Sequence, residues 1–298
     1  AGIDLVCDGE LYRFDVNHPE TNGMIEYVVR PLDGGRAELS FREVQAFRAQ
    51  PGRRVRTRPA GIVEGPVGPG RLDLPAACAR AVSLAQRPLK FTLPGPHMLA
   101  TPLMDRHSGT LPDLAMAIAE ALAEQVALLD AEVIQLDEAN LPGHPDEWEW
   151  AAEAVNRVLR AVKATPAIHL CFGNYGGQSV QQGTWDKLIK FLNALAVDHI
   201  VMETAHRPPE ELASFKALRP EIGMGLGVVD IKRTEVETAD QIARSIERAE
   251  SLLGQGRVRY IHPDCGFWML KRPIADAKIR ALVEGRDLFE GRTRSAAA

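Results

Sequence analysis

The sequence predicts an α/β protein of the (β/α)8 barrel class, and three observations carry that expectation. Short apolar runs rich in β-branched residues alternate with stretches whose apolar residues recur every three or four positions, the pattern of parallel strands joined by crossover helices. The 298 residues suit one barrel of about 250 residues plus an insertion. Finally, chemically active residues collect where the apolar runs stop, and the C-terminal ends of barrel strands are where such folds carry their active sites.

In chain order the first expected strand is 3–6 (IDLV), running into Cys7, Asp8, Gly9 and Glu10. The next is 89–93, ending at Pro94-Gly95-Pro96, then 132–136, ending in Asp137 and Glu138. Strand 167–171 ends in Phe172-Gly173-Asn174, 199–202 in Glu203-Thr204, 223–229 in Asp230, and 258–261 in His262-Pro263-Asp264-Cys265. Helices fill the gaps. One spans 114–129 with Leu114, Ile118, Leu122, Val126 and Leu129 on one stripe, a second carries Val155, Leu159 and Val162, and a third, begun near Thr238, carries Ile242, Ile246 and Leu253. These runs make seven strands, so the first strand of an eight-stranded barrel is expected to be missing from this chain. Residues 31–88 break the alternation. They read as loop-like or short β-like pieces forming an insertion over the barrel mouth, within a single domain spanning 1–298.

Composition narrows the function classes. A net charge of -5 and a pI near 6.0 argue against a generic nucleic-acid surface, and the arginine run at 53–58 reads as a solvated face. The apolar runs stop well short of the roughly 20 residues a membrane span needs. Four cysteines in 298 residues are too few for a disulfide scaffold, and the opening AGIDLVCDGE lacks a signal-peptide core. A cytoplasmic protein is expected. GMGLG at 223–227 fits a dinucleotide fingerprint poorly, and Gly173, Gly176 and Gly177 do not make a P-loop.

The strand ends hold Glu10, Asp137, Glu138, His169, Cys171, Glu203, Asp230 and Cys265. His169 and Cys171 are two apart on a strand and therefore share a face. With Cys265 and Glu203 they offer an imidazole, two thiolates and a carboxylate, a donor set suited to tetrahedral zinc, and sulfur favours zinc over magnesium or calcium. On spacing alone, two cysteines buried as small apolar residues remain the alternative.

The segments IHLC at 168–171, VMET at 201–204 and HPDCG at 262–266 resemble the zinc-binding segments of the cobalamin-independent methionine synthase family. DGE at 8–10, LPGP at 93–96 and QLDE at 135–138 resemble that family's catalytic barrel, in the same order. The resemblance runs from about residue 2 to 288, is weakest over 31–88, and is to the short, single-barrel members. It implies a zinc-dependent methyltransferase of methionine biosynthesis, with zinc on His169, Cys171, Glu203 and Cys265. The thiol of homocysteine would be activated as a thiolate, with Glu203 loosening as sulfur binds and Glu10 and Asp137 holding the substrate's amino group. For the two carboxylates, capping or strand-end ion pairing is the plainer alternative.

Where the folate-dependent members have a histidine in D-I-H-S, this chain has Asp230-Ile231-Lys232-Arg233. Asp230 and Lys232 are therefore the catalytic candidates. A lysine with a reference pKa near 10.4 shuttles protons poorly, and Lys232 is expected to pair with Asp230, a neighbouring carboxylate or an anionic substrate. The folate enzymes also carry an extra N-terminal half, so the expected donor is not free folate but a methylated corrinoid, carried on another protein, or a small methyl compound. Alkyl transfer to another thiol, as in epoxyalkane–coenzyme M transferases, is the alternative, and a barrel with a structural zinc is a third reading. Of the remaining residues, Cys7, Cys78 and Trp268 are expected in packing, with Trp268 equally suited to wall the site. His262 is expected in a turn hydrogen bond, and His97, His107 and His206 on loops near the mouth.

Overall fold

A computed structural model describes residues 2–15, 17–18, 21–50, 56–174 and 178–292. Residues 53–55 of the arginine run, Gly176, Gly177 and the tail from 293 lie outside them. The chain forms two compact units, Leu5–Ala167 and Ala1–Asp4 together with Ile168–Ala298.

In the unit Leu5–Ala167, helix α1 (Gly23–Val29) starts at Asn22, whose side chain accepts from the Met24 amide at 2.9 Å. Strand β1 (Gly35–Arg36) follows, and α2 (Phe41–Arg48) opens with a reciprocal capping box between Ser40 and Glu43. Strand β2 (Ile62–Val63) precedes α3 (Leu74–Leu84), which Asp73 caps. The strand β3 (Lys90–Pro94) leads into the short helix α4 (Pro96–Ala100), β4 (Met104–Asp105), α5 (Leu111–Val126), β5 (Val133–Asp137) and α6 (Trp148–Leu159). β3 and β5 pair in parallel from Lys90 opposite Val133 to Pro94 opposite Asp137. α5 buries Leu114, Ile118, Leu122 and Val126, the predicted stripe. Its start lies at Leu111 because Thr110 caps it and Pro112 suits the first turn, where no intrahelical N–H bond is lost.

Two expectations are corrected here. Residues 3–6 do not form a strand. Among the described residues Val6 makes a single parallel bridge to Leu89, with its amide on the Pro88 carbonyl and its carbonyl accepting from Lys90. One bridge needs only one alternating pair of bonds, so strand-like composition was not matched by a partner of equal length. Residues 31–88 hold the expected short β pieces but also helices. They hold α2, α3 and two-residue strands, and β1, β2 and β4 form their own small sheet, antiparallel then parallel.

β6 (Thr165–Leu170) crosses from one unit to the other, and the rest of the second unit follows it. It comprises α7 (Ile189–Ala194), β7 (His199–Met202), β8 (Gly223–Val229), α8 (Ala239–Leu253), β9 (Val258–Pro263) and α9 (Arg272–Phe289). β7, β8 and β9 are parallel neighbours, with register shifts in β8 at Met224/Gly225 and Gly227/Val229. Every residue of β8 is buried. Gly227 is there for a spatial reason: a Cβ on it would lie 2.1 Å from Asp264 Oδ1 and 2.7 Å from the Met202 carbonyl. α8 opens with a capping box of Thr238 and Gln241 and buries Ile242 and Ile246. Among the described residues no helix is long and apolar enough to cross a membrane.

α9 carries a fully buried lysine. Lys278 Nζ donates to both carboxylate oxygens of Glu237, at 3.1 and 2.9 Å, and to the Glu235 carbonyl. Removing one member of a buried pair strands the other charge. Lys278→Met is expected to lower the unfolding free energy by about 3 kcal/mol, read as a lower urea midpoint at unchanged m-value.

Candidate metal centre and substrate residues

β6 ends by presenting His169, and Cys171 follows two residues later on the same face, as strand alternation requires. β9 delivers Cys265 immediately after Pro263-Asp264. The imidazole of His169 and the thiols of Cys171 and Cys265 each place a ligand atom within 4.8 Å of the others. His169 Nδ1 lies 2.9 Å from the Val201 carbonyl. A carbonyl only accepts, so the ring proton sits on Nδ1 and the lone pair on Nε2, the form a metal ligand needs. Its hydrogen bond to Cys265, and then burial, push the Cys171 thiol well above the ordinary cysteine range. That same hydrogen bond, with the His169 ring beside it, outweighs burial and holds Cys265 well below it. Tetrahedral zinc with bonds of about 2.0–2.3 Å needs donor atoms roughly 3.3–3.8 Å apart, a modest contraction from the observed spread. The donors fit zinc.

Glu203 follows β7 and is fully buried. Its amide donates to the Leu170 carbonyl at 3.4 Å, and its own carbonyl accepts from the Trp185 indole at 3.1 Å. Glu203 Oε2 accepts from the Phe172 amide at 3.0 Å and Oε1 from Lys232 Nζ at 2.9 Å. The three-residue cluster therefore stands beside a carboxylate that faces a lysine. Of the three expected pairings for Lys232, the side chain takes the neighbouring carboxylate, while Asp230 Oδ1 accepts from the Lys232 amide at 2.8 Å. Asp230 Oδ2 contacts His206 Nδ1 at 2.9 Å, and the Asp230 amide donates to Glu237 at 2.9 Å.

Asp264, next to Cys265, has a role that spacing did not reveal. Its buried carboxylate accepts from the amides of Thr204 and Ala205, both at 2.9 Å, and His206 at 2.7 Å, pinning the turn after Glu203. Burial pushes its pKa up to about 7. The only sequence hint was its place in HPDCG.

Glu10 and Asp137 lie in the other unit. Glu10 occupies the left-handed region at φ 56°, following Gly9 at φ 74°, a conformation that costs a non-glycine residue about 1–2 kcal/mol. Its carboxylate lies 3.6 Å from Arg13 Nη1, which is the plainer alternative foreseen for it. Arg13, unremarked in sequence, is buried, donates to the Thr92 carbonyl at 2.8 Å and sits against the Tyr12, Tyr27 and Phe91 rings. Asp137 accepts from Gln135 at 2.7 Å, and Gln135 accepts from Lys90 at 2.8 Å, all on one face of the strands.

Glu138 points the opposite way, as alternation demands. Fully buried, it accepts from the His97 and Met98 amides, both at 2.9 Å, and burial pushes its pKa up to about 8. Folded chain therefore keeps this proton while unfolded chain loses it from near pH 4.5. The contribution to stability is fully present below that value and is lost as pH rises through about 8, at roughly 1.4 kcal/mol for each pH unit between the two. Urea titrations from about pH 5 to 9 are expected to show this decline in the unmodified protein and a flatter profile in Glu138→Gln.

Other expectations are corrected by burial. Cys7 is exposed rather than packed, because the 3–6 segment ahead of it is not a sheet strand. Trp268 is 55% exposed, which removes the packing reading. His97 is buried in α4 rather than on a loop, 2.6 Å from Glu147 and stacked on Trp150. His262 Nδ1 meets the Pro263 carbonyl at 2.7 Å, and Cys78 is buried, both as expected.

Comparison with known proteins follows the same line. Residues 1–286 match the family described as cobalamin-independent synthase, catalytic domain. A methionine synthase of Thermococcus kodakarensis is 30% identical over 203 residues, 67% of this chain and 57% of that protein. One from Saccharolobus islandicus is 27% identical over 290 residues, 96% of this chain and 79% of that protein. Among solved structures, a B12-independent methionine synthase from Shewanella sp. W3-18-1, in complex with selenomethionine, superposes with a TM-score of 0.76 at 21% identity, covering 97% of this chain and 83% of that one. A methyltransferase from Methanosarcina mazei superposes at 0.54 and 16% identity, over 71% of this chain and 61% of that one. The fold is therefore the parallel α/β barrel class expected from the alternation.

Proposed function

The chain belongs to the cobalamin-independent methionine synthase family, a family of methyltransferases, and from that premise we propose that it methylates the sulfur of homocysteine. The observation that carries the reading is the cluster of His169, Cys171 and Cys265. In this reading those residues hold zinc, with Glu203 as a fourth ligand in the absence of substrate. Bound there, zinc supplies the Lewis acidity that keeps a thiol deprotonated near neutral pH while its sulfur stays nucleophilic. The protein's own groups do the rest. His169 presents Nε2 because Val201 holds its Nδ1 proton. Glu10 and Asp137 bind the substrate ammonium as anionic acceptors. Asp264 holds the turn at 204–206, so Glu203 starts from one place. Asp230 fixes the backbone that carries Lys232. A sulfur–carbon bond forms to the methyl group as the bond from methyl to donor breaks, and the donor leaves with that electron pair. The reducing cytoplasm suits such thiols.

The test is methionine formation by zinc-loaded protein and homocysteine across a panel of methyl donors, with coenzyme M as a competing acceptor. Zinc bound at one equivalent without methionine from any donor, or preference for coenzyme M, would count against the reading. Methylcobalamin or a small methyl compound is the expected donor class. Methyltetrahydrofolate is expected to give little or no methionine, because Lys232 is held by Glu203 and is poorly placed to protonate a departing nitrogen. Lys232→His is expected to leave that result unchanged, and efficient turnover with methyltetrahydrofolate would overturn it.

A further inference from the structure

Glu203 and Lys232 form an ion pair at 2.9 Å with side chains 0% and 2% exposed. A carboxylate at that depth needs a partner, since an unpartnered buried anion is costly. The pair stands beside the metal cluster, and the carboxylate's other oxygen is taken by the Phe172 amide, one residue after Cys171. The lysine is not a loose arm. Its amide is fixed by Asp230, the Asp230 amide by Glu237, and Glu237 by Lys278. The structure thus shows a fully satisfied position for Glu203 that does not involve a metal.

Charge accounting gives that position a purpose. A dication with two thiolates and an imidazole is neutral. A third anion, whether Glu203 or a substrate thiolate, takes the site to minus one. When a thiolate enters, a displaced carboxylate needs a cation waiting for it.

We propose that Lys232 is that cation, a positioning residue that receives Glu203 when substrate sulfur takes its place. This rests on the zinc reading above. Glu203 then alternates between the metal and Lys232, and no bond other than the metal–carboxylate and metal–sulfur contacts changes. Without Lys232 the carboxylate has no second home and stays on the metal. Zinc is held more tightly and the thiol enters less readily.

The experiment compares unmodified protein, Lys232→Met, Lys232→Arg, Glu203→Gln and the double variant Lys232→Met/Glu203→Gln. Zinc affinity is read by chelator competition and the sulfur count at zinc by X-ray absorption, each with and without homocysteine. In the unmodified protein, homocysteine should raise the count from two sulfurs to three. Lys232→Met should bind zinc about tenfold more tightly, on the scale by which residues behind metal ligands act. It should also need at least about tenfold more homocysteine to reach three sulfurs, and Lys232→Arg should restore much of the exchange. In the Glu203→Gln background, removing Lys232 should change neither reading, because the group it receives is gone. The double variant also removes both buried charges, so it reports even if Lys232→Met alone folds poorly. Lys232→Met with unaltered zinc affinity and unaltered thiol entry would overturn the exchange. If the unmodified protein binds no zinc, or Cys265→Ser binds it equally well, the metal reading itself fails, a result distinct from failure of the exchange.

Discussion

Cys265→Ser is expected to yield a folded protein that retains no stoichiometric zinc and forms no methionine. Serine offers a hard, neutral hydroxyl where the cluster supplies a thiolate, and soft sulfur is what selects zinc there. Cys265 is also the thiol already shifted toward its charged form by Cys171 and His169. Its loss leaves only His169 and Cys171 of the three clustered donors. The fold should survive, because Cys265 is only half-buried and lies two residues beyond the end of β9 rather than in the core. Elemental analysis after dialysis, circular dichroism and a methionine assay together decide the matter. Full zinc content with unchanged turnover would remove Cys265 from the site.

Gly227→Ala is expected to be the most damaging single methyl group in the second unit. The added carbon would lie 2.1 Å from Asp264 Oδ1, 2.7 Å from the Met202 carbonyl and 3.0 Å from the Thr204 amide. Two of these atoms are backbone, so no rotamer change makes room. Moving Asp264 instead breaks its bonds to the amides of Thr204, Ala205 and His206, the turn that follows Glu203. Overpacking of this kind costs about 3 kcal/mol or more. Urea unfolding should show that loss, with weaker zinc retention in the protein that remains folded. A midpoint within error of the unmodified chain would mean that β8 yields more easily than its burial implies.

Much of this was legible in the sequence because strands and helices leave different periods. The stripe Leu114, Ile118, Leu122, Val126 needed only the helical repeat. Period-two alternation separated Asp137, facing Gln135, from Glu138, facing α4. It also placed His169 and Cys171 on one face. The pairing of the short strands β1, β2 and β4 was not legible, since two residues carry no period and their partners are distant in the chain. Residues 3–6 failed for the related reason that β propensity does not supply a neighbouring edge. The pairing of Lys232 with Glu203 spans 29 positions and reaches across β8, and no local spacing rule connects them. The resemblance to a known family located both residues but suggested a metal bond for one and left the other's partner open.

The line from Lys278 through Glu237 and Asp230 to Lys232 has a consequence for how variants combine. An activity screen alone would score Lys278, on a helix that supplies none of the three clustered donors, as if it acted in the chemistry. Denaturation alone would score it as a core residue. Epistasis separates the two contributions. In a Lys232→Met background, replacing Lys278 should still cost stability but should add nothing further to the zinc and thiol readings, because the side chain it steadies has already been removed. If the exchange holds, α9 is coupled to the candidate metal site through one lysine, and sequence drift in that helix is constrained by whichever residue occupies position 232.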